Sequence, residues 1–161
     1  MLDDRDLQIL ALLQADARTS NAEIARRLGI APSAVLERIR KLERRGVLLG
    51  YSARVDPRAI GRELLAFVFV QADESPGGED LGRILAAIPE VLEVHHVAGE
   101  DCYLLKLRCA SPEALGRLLK EKLGSLPEVR RTRSTVVLGT IKESCRVALP
   151  EVAETRSDDG D

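Results

Sequence analysis

An internal repeat in the second half of the chain most strongly constrains its fold. Residues 81–85 (LGRIL) recur as residues 115–119 (LGRLL), and residues 89–91 (PEV) recur as residues 127–129. In each copy a stretch typical of a strand precedes the helical motif and another follows it, so the pattern predicts strand, helix, strand twice. The resulting order, β-α-β-β-α-β, is the split-βαβ, ferredoxin-like arrangement of the α+β class.

The strands and helices of this second half can be placed on the sequence. The predicted strands span residues 64–71, 91–98, 102–109 and 130–141, and the predicted helices span residues 80–88 and 112–126. Both helices of such a unit cover the same face of the sheet. The first strand is nevertheless apolar on both faces, where Leu65, Phe67 and Phe69 alternate with Ala66, Val68 and Val70. We therefore expect the uncovered face to pack on a second copy of the chain.

The first sixty residues show a different, helical periodicity. The predicted helices span residues 4–17, 21–28 and 32–45, and a short strand is predicted over residues 47–53. Ser20 is a candidate N-cap with Glu23 as its capping-box partner, and Gly29 ends the second helix. Two helices joined by such a tight, glycine-containing turn match a helix-turn-helix, whose second helix enters the DNA major groove.

Positive charge is concentrated in this helical half. The chain has a net charge of −2, yet residues 18–45 carry eight Lys or Arg against three Asp or Glu. In the third predicted helix Val35, Ile39 and Leu42 fall on one side, and the opposite side is polar. The arrangement predicts a face for a polyanion. The plainer interpretation is a solvated, charged surface helix.

The candidates for DNA contact lie on the third helix and at the start of the second. Arg40, Lys41 and Arg44 suit phosphate or guanine, and Glu37 either accepts from cytosine N4 or holds a neighbouring arginine. The start of the second helix either contacts a phosphate or serves as a cap alone. The complete set is Ser20, Asn21, Ser33, Ala34, Glu37, Arg38, Arg40, Lys41 and Arg44.

Composition and missing motifs exclude several classes of protein. No apolar run approaches the ~20 residues of a membrane helix, and the acidic N-terminus is unlike a secretory signal. Three cysteines without CxxC spacing argue against a disulfide framework and for a reducing cytoplasm. Without a phosphate loop, HExxH or GxSxG motif, we expect no enzyme activity and no cofactor. Adjacent His95 and His96 point to opposite faces of a strand, so no metal site is expected.

Short motifs throughout the chain resemble those of the Lrp/AsnC family, the feast/famine regulators. In the first half the matching segments are LDDRD at residues 2–6, NAEIA at 21–25, GIAPS at 29–33 and RIRKLE at 38–43. In the second half GEDCYLL at residues 99–105 looks like the family's effector-domain turn. The resemblance covers nearly the whole chain and implies a transcription regulator of bacteria or archaea.

The resemblance implies how the chain is divided and assembled. A (winged) helix-turn-helix domain would occupy residues 1–60, and a ferredoxin-like effector-binding and oligomerisation domain residues 61–148. An acidic tail over residues 149–161 is expected to fray. Effector domains of the family pair sheet to sheet, and four dimers often form an octamer. The implied partners are double-stranded DNA, a small effector that is usually an amino acid, and further copies of the chain.

The implied effector site is the glycine-containing turn, at the interface between dimers. Glycine lets backbone N–H groups approach a carboxylate, although an ordinary hairpin turn with surface acids is the plainer interpretation. Cys102 departs from the family, which commonly has an acidic residue just before the aromatic one. The usual leucine-type or asparagine-type effector therefore does not follow. The candidate residues are Gly99, Glu100, Asp101, Cys102, Tyr103 and Thr135.

Two other functions stay open on the sequence. Some proteins of this architecture resemble the regulators but decarboxylate sirohaem-type tetrapyrroles. A basic pocket formed by His95, His96, Arg131 and Arg133 would favour that activity. The other is an architectural DNA-binding protein without an effector, which a response to an effector would separate from a regulator.

Overall fold

The computed structural model describes residues 2–73, 80–100 and 102–150. These residues form two compact units. The first comprises residues 2–53 together with 143–150, and the second comprises residues 54–142. The predicted domain limits lie at residues 60 and 148, whereas the second unit begins at residue 54 and the chain returns to the first unit at residue 143. Within the described ranges, no helix is long and apolar enough to cross a membrane.

The returning segment belongs to the first unit because it packs on the helices there. The Gln14 side-chain amide donates to the Val147 carbonyl at 3.1 Å and accepts from the Val147 N–H at 2.7 Å. Leu149, expected in the fraying tail, is instead partly buried against the helical core. Residues 151–161 of the expected tail lie outside the described residues.

The first unit is built from helices α1 (Asp4–Ala15), α2 (Asn21–Leu28) and α3 (Pro32–Arg44). The predicted start and end of α2 are confirmed. Ser20 Oγ accepts from the Glu23 N–H at 3.2 Å, and Gly29 closes the helix with a φ of 64°, a left-handed conformation that favours glycine. All three helices contribute to one aliphatic core, which consists of Ile9, Leu10, Leu13, Ile24, Ala25, Val35, Ile39 and Leu42.

Two local expectations for this half differ from the structure. The Glu23 carboxylate binds Arg26 and Arg27, whereas a reciprocal capping box forms at the start of α1 between Asp3 and Asp6. The strand predicted over residues 47–53 is not formed. A strand requires a neighbouring backbone to pair with, and the described part of this single chain supplies none there.

The second unit has the predicted β-α-β-β-α-β order, which is therefore confirmed. Its four strands form one antiparallel sheet in the order β2-β3-β1-β4. Helix α5 continues into a π-helical segment, Leu119–Leu123. The elements are β1 (Leu64–Ala72), α4 (Asp80–Ala86), β2 (Val91–His96), β3 (Tyr103–Cys109), α5 (Pro112–Leu118) and β4 (Val129–Val136).

Strand β4 ends at Val136 instead of residue 141 because its partner ends there. Ala66 of β1 pairs with Val136, and one further hydrogen bond joins the Val137 N–H to the Leu65 carbonyl. Strand β1 begins at Leu64, so residues 139–141 lie beyond the last β1 residue that could pair with them.

The two faces of the sheet differ in burial. Ala66, Val68 and Val70 of β1 are fully buried in the core that includes α4 and α5. Phe67 and Phe69 point to the opposite face and are only partly buried. On that face they lie beside Lys106 and Leu104 of β3. The open face thus carries two phenylalanine rings on the central strand β1, with a lysine of the other central strand beside one of them.

Candidate DNA-binding face and effector turn

Helix α3 has one buried and one exposed side, as predicted. Val35, Ile39 and Leu42 are at most 7% exposed and lie in the core. We call the exposed polar side the α3 strip. Its members are Ser33, Ala34, Glu37, Arg40, Lys41 and Arg44, and all six are exposed. The strip presents three cationic groups and one carboxylate to solvent.

The charged side chains of the α3 strip are exposed and are held only by a weak ion pair. Arg44 Nη2 lies 3.5 Å from Glu37 Oε1, and both side chains are about two-thirds exposed. Such an exposed pair contributes little stability, so either member can exchange its partner for a phosphate or a base edge. Within the described residues Arg40 and Lys41 form no ion pair.

Arg38 occupies a different position from the other predicted contact residues. Its Nη1 donates to Asp3 Oδ1 at 2.9 Å and Oδ2 at 2.7 Å, and to Asp6 Oδ1 at 2.7 Å. Only a third of the side chain is exposed. The structure therefore places the Arg38 guanidinium between α3 and α1, beside the α3 strip and not on it.

The start of α2 is capped and carries its own acid. Ser20 is exposed, Asn21 is partly buried, and the hydroxyl of Ser20 is occupied as the cap. Hydrogen bonds from Arg26 and then Arg27 hold the pKa of Glu23 at about 2. A carboxylate in the first turn of α2 repels a phosphate, but these two arginines neutralise it.

The predicted effector turn is a hairpin connection between β2 and β3. The Val97 N–H donates to the Cys102 carbonyl at 2.9 Å, and the Cys102 N–H donates to the Val70 carbonyl at 2.8 Å. Gly99 has a φ of 143°, which glycine adopts without strain. Gly99 and Glu100 are exposed. Asp101 lies outside the described residues.

The side chains of Cys102 and Tyr103 point into the fold. Cys102 Sγ donates to the Ala72 carbonyl at 3.3 Å. Tyr103 is 3% exposed and stacks on His96 with ring centroids 5.1 Å apart. A Cβ built at Gly82 of α4 would lie 3.1 Å from Tyr103 Cε1. These contacts fix the turn to β1 and α4, and they leave the backbone and Glu100 as its outward groups.

Thr135 is not brought to the turn within one chain. It lies on β4 opposite Phe67, whereas Cys102 is one residue beyond the pair Val70–Tyr103. The two positions are thus separated by about 13 Å along the strands and by the width of β1. A site containing both requires residues from a second copy.

An ion pair that sequence reasoning missed lies at the same end of the sheet as the turn. Asp73 follows β1 and binds Arg130 of β4, while the Asp73 N–H donates to the Glu128 carbonyl at 2.9 Å. Cys102 contacts the residue just before Asp73. The signal was absent from the sequence because these residues meet only through strand pairing.

The histidines lie on opposite faces of the sheet. His95 Nε2 is 3.2 Å from Glu93 Oε2 on the open face, whereas His96 stacks on Tyr103 on the helix-covered face. The Arg133 guanidinium lies 4.2 Å from the Phe69 ring centroid. The described residues contain no group of three His, Cys, Asp or Glu side chains suited to a metal ion. The four residues proposed for a tetrapyrrole pocket therefore do not share one face.

Comparisons with known proteins agree with both units. Residues 2–48 match the family model for winged helix-turn-helix DNA-binding, and residues 65–147 match that of the Lrp/AsnC ligand binding domain. The leucine-responsive regulatory protein of Escherichia coli is 38% identical over 150 residues, 92% of each chain.

Solved structures agree as well. A transcriptional regulator of Neisseria meningitidis in complex with L-methionine matches with a TM-score of 0.85 and 30% identity, over 92% of this chain and 97% of the other. The feast or famine regulatory protein of M. tuberculosis complexed with L-methionine also has a TM-score of 0.85, with 42% identity, over 93% of this chain and 100% of the other.

The basic helix-turn-helix unit and the ferredoxin-like ligand-binding unit define a DNA-binding transcriptional regulator. More specifically, the chain belongs to the Lrp/AsnC family, as its relatives and structural neighbours show. The family and fold predicted from the sequence are thereby confirmed. None of these comparisons favours the tetrapyrrole enzyme or the purely architectural protein.

Proposed function

We propose that the α3 strip reads DNA, with the start of α2 contacting the phosphate backbone. The observation that carries this proposal is that α3 exposes Arg40, Lys41 and Arg44 together, on the side of the helix away from the core. Arginine pairs bidentately with guanine, and lysine suits phosphate. Glu37 accepts from cytosine N4 or orients Arg44. Ser33 and Ala34 begin the helix and lie nearest the base edges, while Ser20 and Asn21 face a phosphate.

Apolar surfaces that this chain leaves uncovered support the proposal of a homodimer. The open sheet face carries Phe67 and Phe69 at its centre. Leu49, Leu138 and Ile141, in the segments that join the two units in sequence, are each more than nine-tenths exposed. Apolar surface of this kind is typical of an interface between copies. Dimerisation would place two recognition helices ~34 Å or a multiple of that distance apart, on an imperfectly palindromic operator. Dimers would assemble further to an octamer.

The effector of the chain is an amino acid bound at the Gly99–Tyr103 turn, between dimers. The relatives in complex with L-methionine support this chemistry. Gly99, which is exposed, would let the backbone N–H groups of the turn approach the effector's carboxylate. Glu100 and Asp101 supply an acid for its ammonium group, because the Cys102 thiol is turned toward Ala72. Thr135 enters this site only from another copy. The effector acts through its different affinities for two assembly states.

This function needs no catalytic group and places the protein in the cytoplasm with its DNA. The test is binding of the purified protein to the DNA upstream of its own coding region, in about 150 mM salt with competitor DNA. A panel of amino acids is titrated in the same assay. Specific binding that one amino acid shifts supports both proposed sites. Specific binding that no effector shifts refutes the effector site and favours an architectural protein. No specific binding would mean that the operator lies elsewhere or that the chain has no DNA role, and tetrapyrrole binding would be measured next.

A further inference from the structure

An ion-pair cluster joins the N-terminus of α1 to the side of α3. Arg38 Nη1 donates to Asp3 and Asp6 over distances of 2.7–2.9 Å. Asp6 is 3% exposed and is the one charged residue that the described chain buries. A buried carboxylate without its partner is costly. The Arg38 guanidinium is therefore needed at this position to compensate the buried charge of Asp6.

The two carboxylates are also held in place by hydrogen bonds that do not involve Arg38. The Asp6 N–H donates to Asp3 Oδ1 at 2.9 Å, and the Asp3 N–H donates to Asp6 Oδ2 at 3.4 Å. This reciprocal capping box fixes both side chains to the first turn of α1. The pKa of Asp3 is lowered mainly by the hydrogen bond from Arg38 and to a smaller extent by that from the Asp6 N–H. The capping box thus holds the Asp3 carboxylate in place, and its lowered pKa favours the ionised form.

The contact at Arg38 is directional, unlike the apolar contacts that hold α3 in the core. The apolar contacts of Val35, Ile39 and Leu42 hold the helix in the core, but such contacts are non-directional. A charge-assisted hydrogen bond to a fixed acceptor has a defined geometry. Arg38 immediately follows Glu37 and precedes Arg40 by two positions, so a rotation that loosens Arg38 also displaces both of those residues on the α3 strip.

We propose that Arg38 is a positioning residue for DNA recognition. It acts through Asp3 and Asp6 to set the orientation of α3, and its guanidinium does not contact DNA. This assignment revises the prediction that Arg38 is itself a DNA contact. It rests on the proposed role of the α3 strip, and it makes the first turn of α1 part of the apparatus that determines specificity.

The opposite signs expected for Asp3→Asn separate positioning from contact. If Arg38 contacts DNA, the substitution frees its guanidinium and removes a negative charge near a polyanion, so binding becomes tighter. If Arg38 positions α3, the same substitution weakens specific binding by about tenfold. Asparagine is a good N-cap, so α1 still begins normally. Asp4→Asn is the matched control, because it removes an equal charge from the exposed neighbouring residue.

The experiment measures the affinity of the full chain for specific DNA and for competitor DNA at several salt concentrations, with thermal unfolding to confirm folding. We expect Asp3→Asn to weaken specific binding and Arg38→Gln to weaken it further, because only the latter also removes the contact with Asp6. The double variant should bind as Arg38→Gln does, since Asp3 acts only through Arg38. The salt slope should stay at the parent value, since no phosphate contact is lost. If Arg38→Gln does not fold, the comparison of Asp3→Asn with Asp4→Asn alone distinguishes positioning from DNA contact.

Three results would overturn the proposal: binding by Asp3→Asn as tight as by Asp4→Asn, additive losses in the double variant, or a salt slope reduced by about one in Arg38→Gln. Absence of specific binding by the parent is distinguishable from these, because it contradicts the role of the α3 strip itself.

Discussion

Gln14 and Val147 are joined by two hydrogen bonds although 133 positions separate them in the chain. The Gln14 amide satisfies both backbone groups of Val147, as a paired strand would. Leu149 then packs on the same helical core. The DNA-binding unit is therefore completed by residues that follow the ligand-binding unit, and the two units are connected by the chain twice.

The Gln14–Val147 contact predicts a measurable loss of stability. Gln14→Ala removes two hydrogen bonds and should lower the free energy of unfolding of the first unit by about 1–2 kcal/mol. Gln8→Ala is the control, because Gln8 lies on the same helix and accepts an exposed hydrogen bond from Arg5. Equal midpoints of urea unfolding for the two variants would show that the returning segment adds no stability.

The repeat offers an internally matched test of packing at the turn. Gly82 and Gly116 occupy equivalent positions, but a Cβ at Gly82 would meet the Tyr103 ring at 3.1 Å, and a Cβ at Gly116 meets nothing within 4 Å. Gly116→Ala should stabilise the fold by about 0.5–1 kcal/mol through helix propensity. Gly82→Ala should fall short of that gain because the ring must shift. A gain as large for Gly82→Ala would contradict the close packing of Tyr103.

The acid sensitivity of the first unit should depend on Glu23. Hydrogen bonds from Arg26 and Arg27 lower the pKa of Glu23 from its ordinary value of 4.5 to about 2 in the folded chain. A carboxylate whose pKa falls on folding stabilises the folded state above the unfolded pKa, and that contribution is lost as the pH falls through the folded pKa. Glu23→Gln should therefore flatten the decline of Tm between about pH 4.5 and pH 2. Glu37→Gln, which removes an exposed acid of the α3 strip, is the control, and identical profiles for both variants would refute the assignment.

The effector turn predicts a separation of DNA binding from effector response. Asp101→Ala should leave the affinity for DNA unchanged and raise the amino-acid concentration needed to shift it, since the ammonium group loses an acid. Glu100→Gln should act in the same direction. Effector titrations that coincide with those of the parent for both variants would assign the two acids to ordinary surface positions.

Local signals explain why most of the fold could be predicted from the sequence. Ser20 and Gly29 act on backbone groups within four residues, so the limits of α2 follow from the sequence around them. The repeat likewise predicts the order of strands and helices. The prediction of a strand over residues 47–53 was wrong because β propensity describes only a local preference. A strand also requires a neighbouring strand to pair with.

Contacts between distant parts of the chain could not be predicted. Arg38 lies on the border of the polar side of α3, and the sequence places it there among other arginines. Its pairing with Asp3 and Asp6 depends on how α1 crosses α3, which no local pattern contains. The Asp73–Arg130 pair and the turning of Cys102 toward Ala72 depend in the same way on strand register.

The role of α3 as the recognition helix is tested most directly by measuring DNA binding after single side-chain truncations on the α3 strip. Arg40→Ala and Arg44→Ala are compared with the parent on DNA that the parent binds specifically, with Arg58→Ala, at an exposed arginine outside the helix-turn-helix, as the control. If α3 is the recognition helix, at least one strip variant loses about 1–3 kcal/mol of binding free energy, while Arg58→Ala binds as the parent does. Unchanged affinity in both strip variants, with folding intact, would contradict the claim that α3 is the recognition helix.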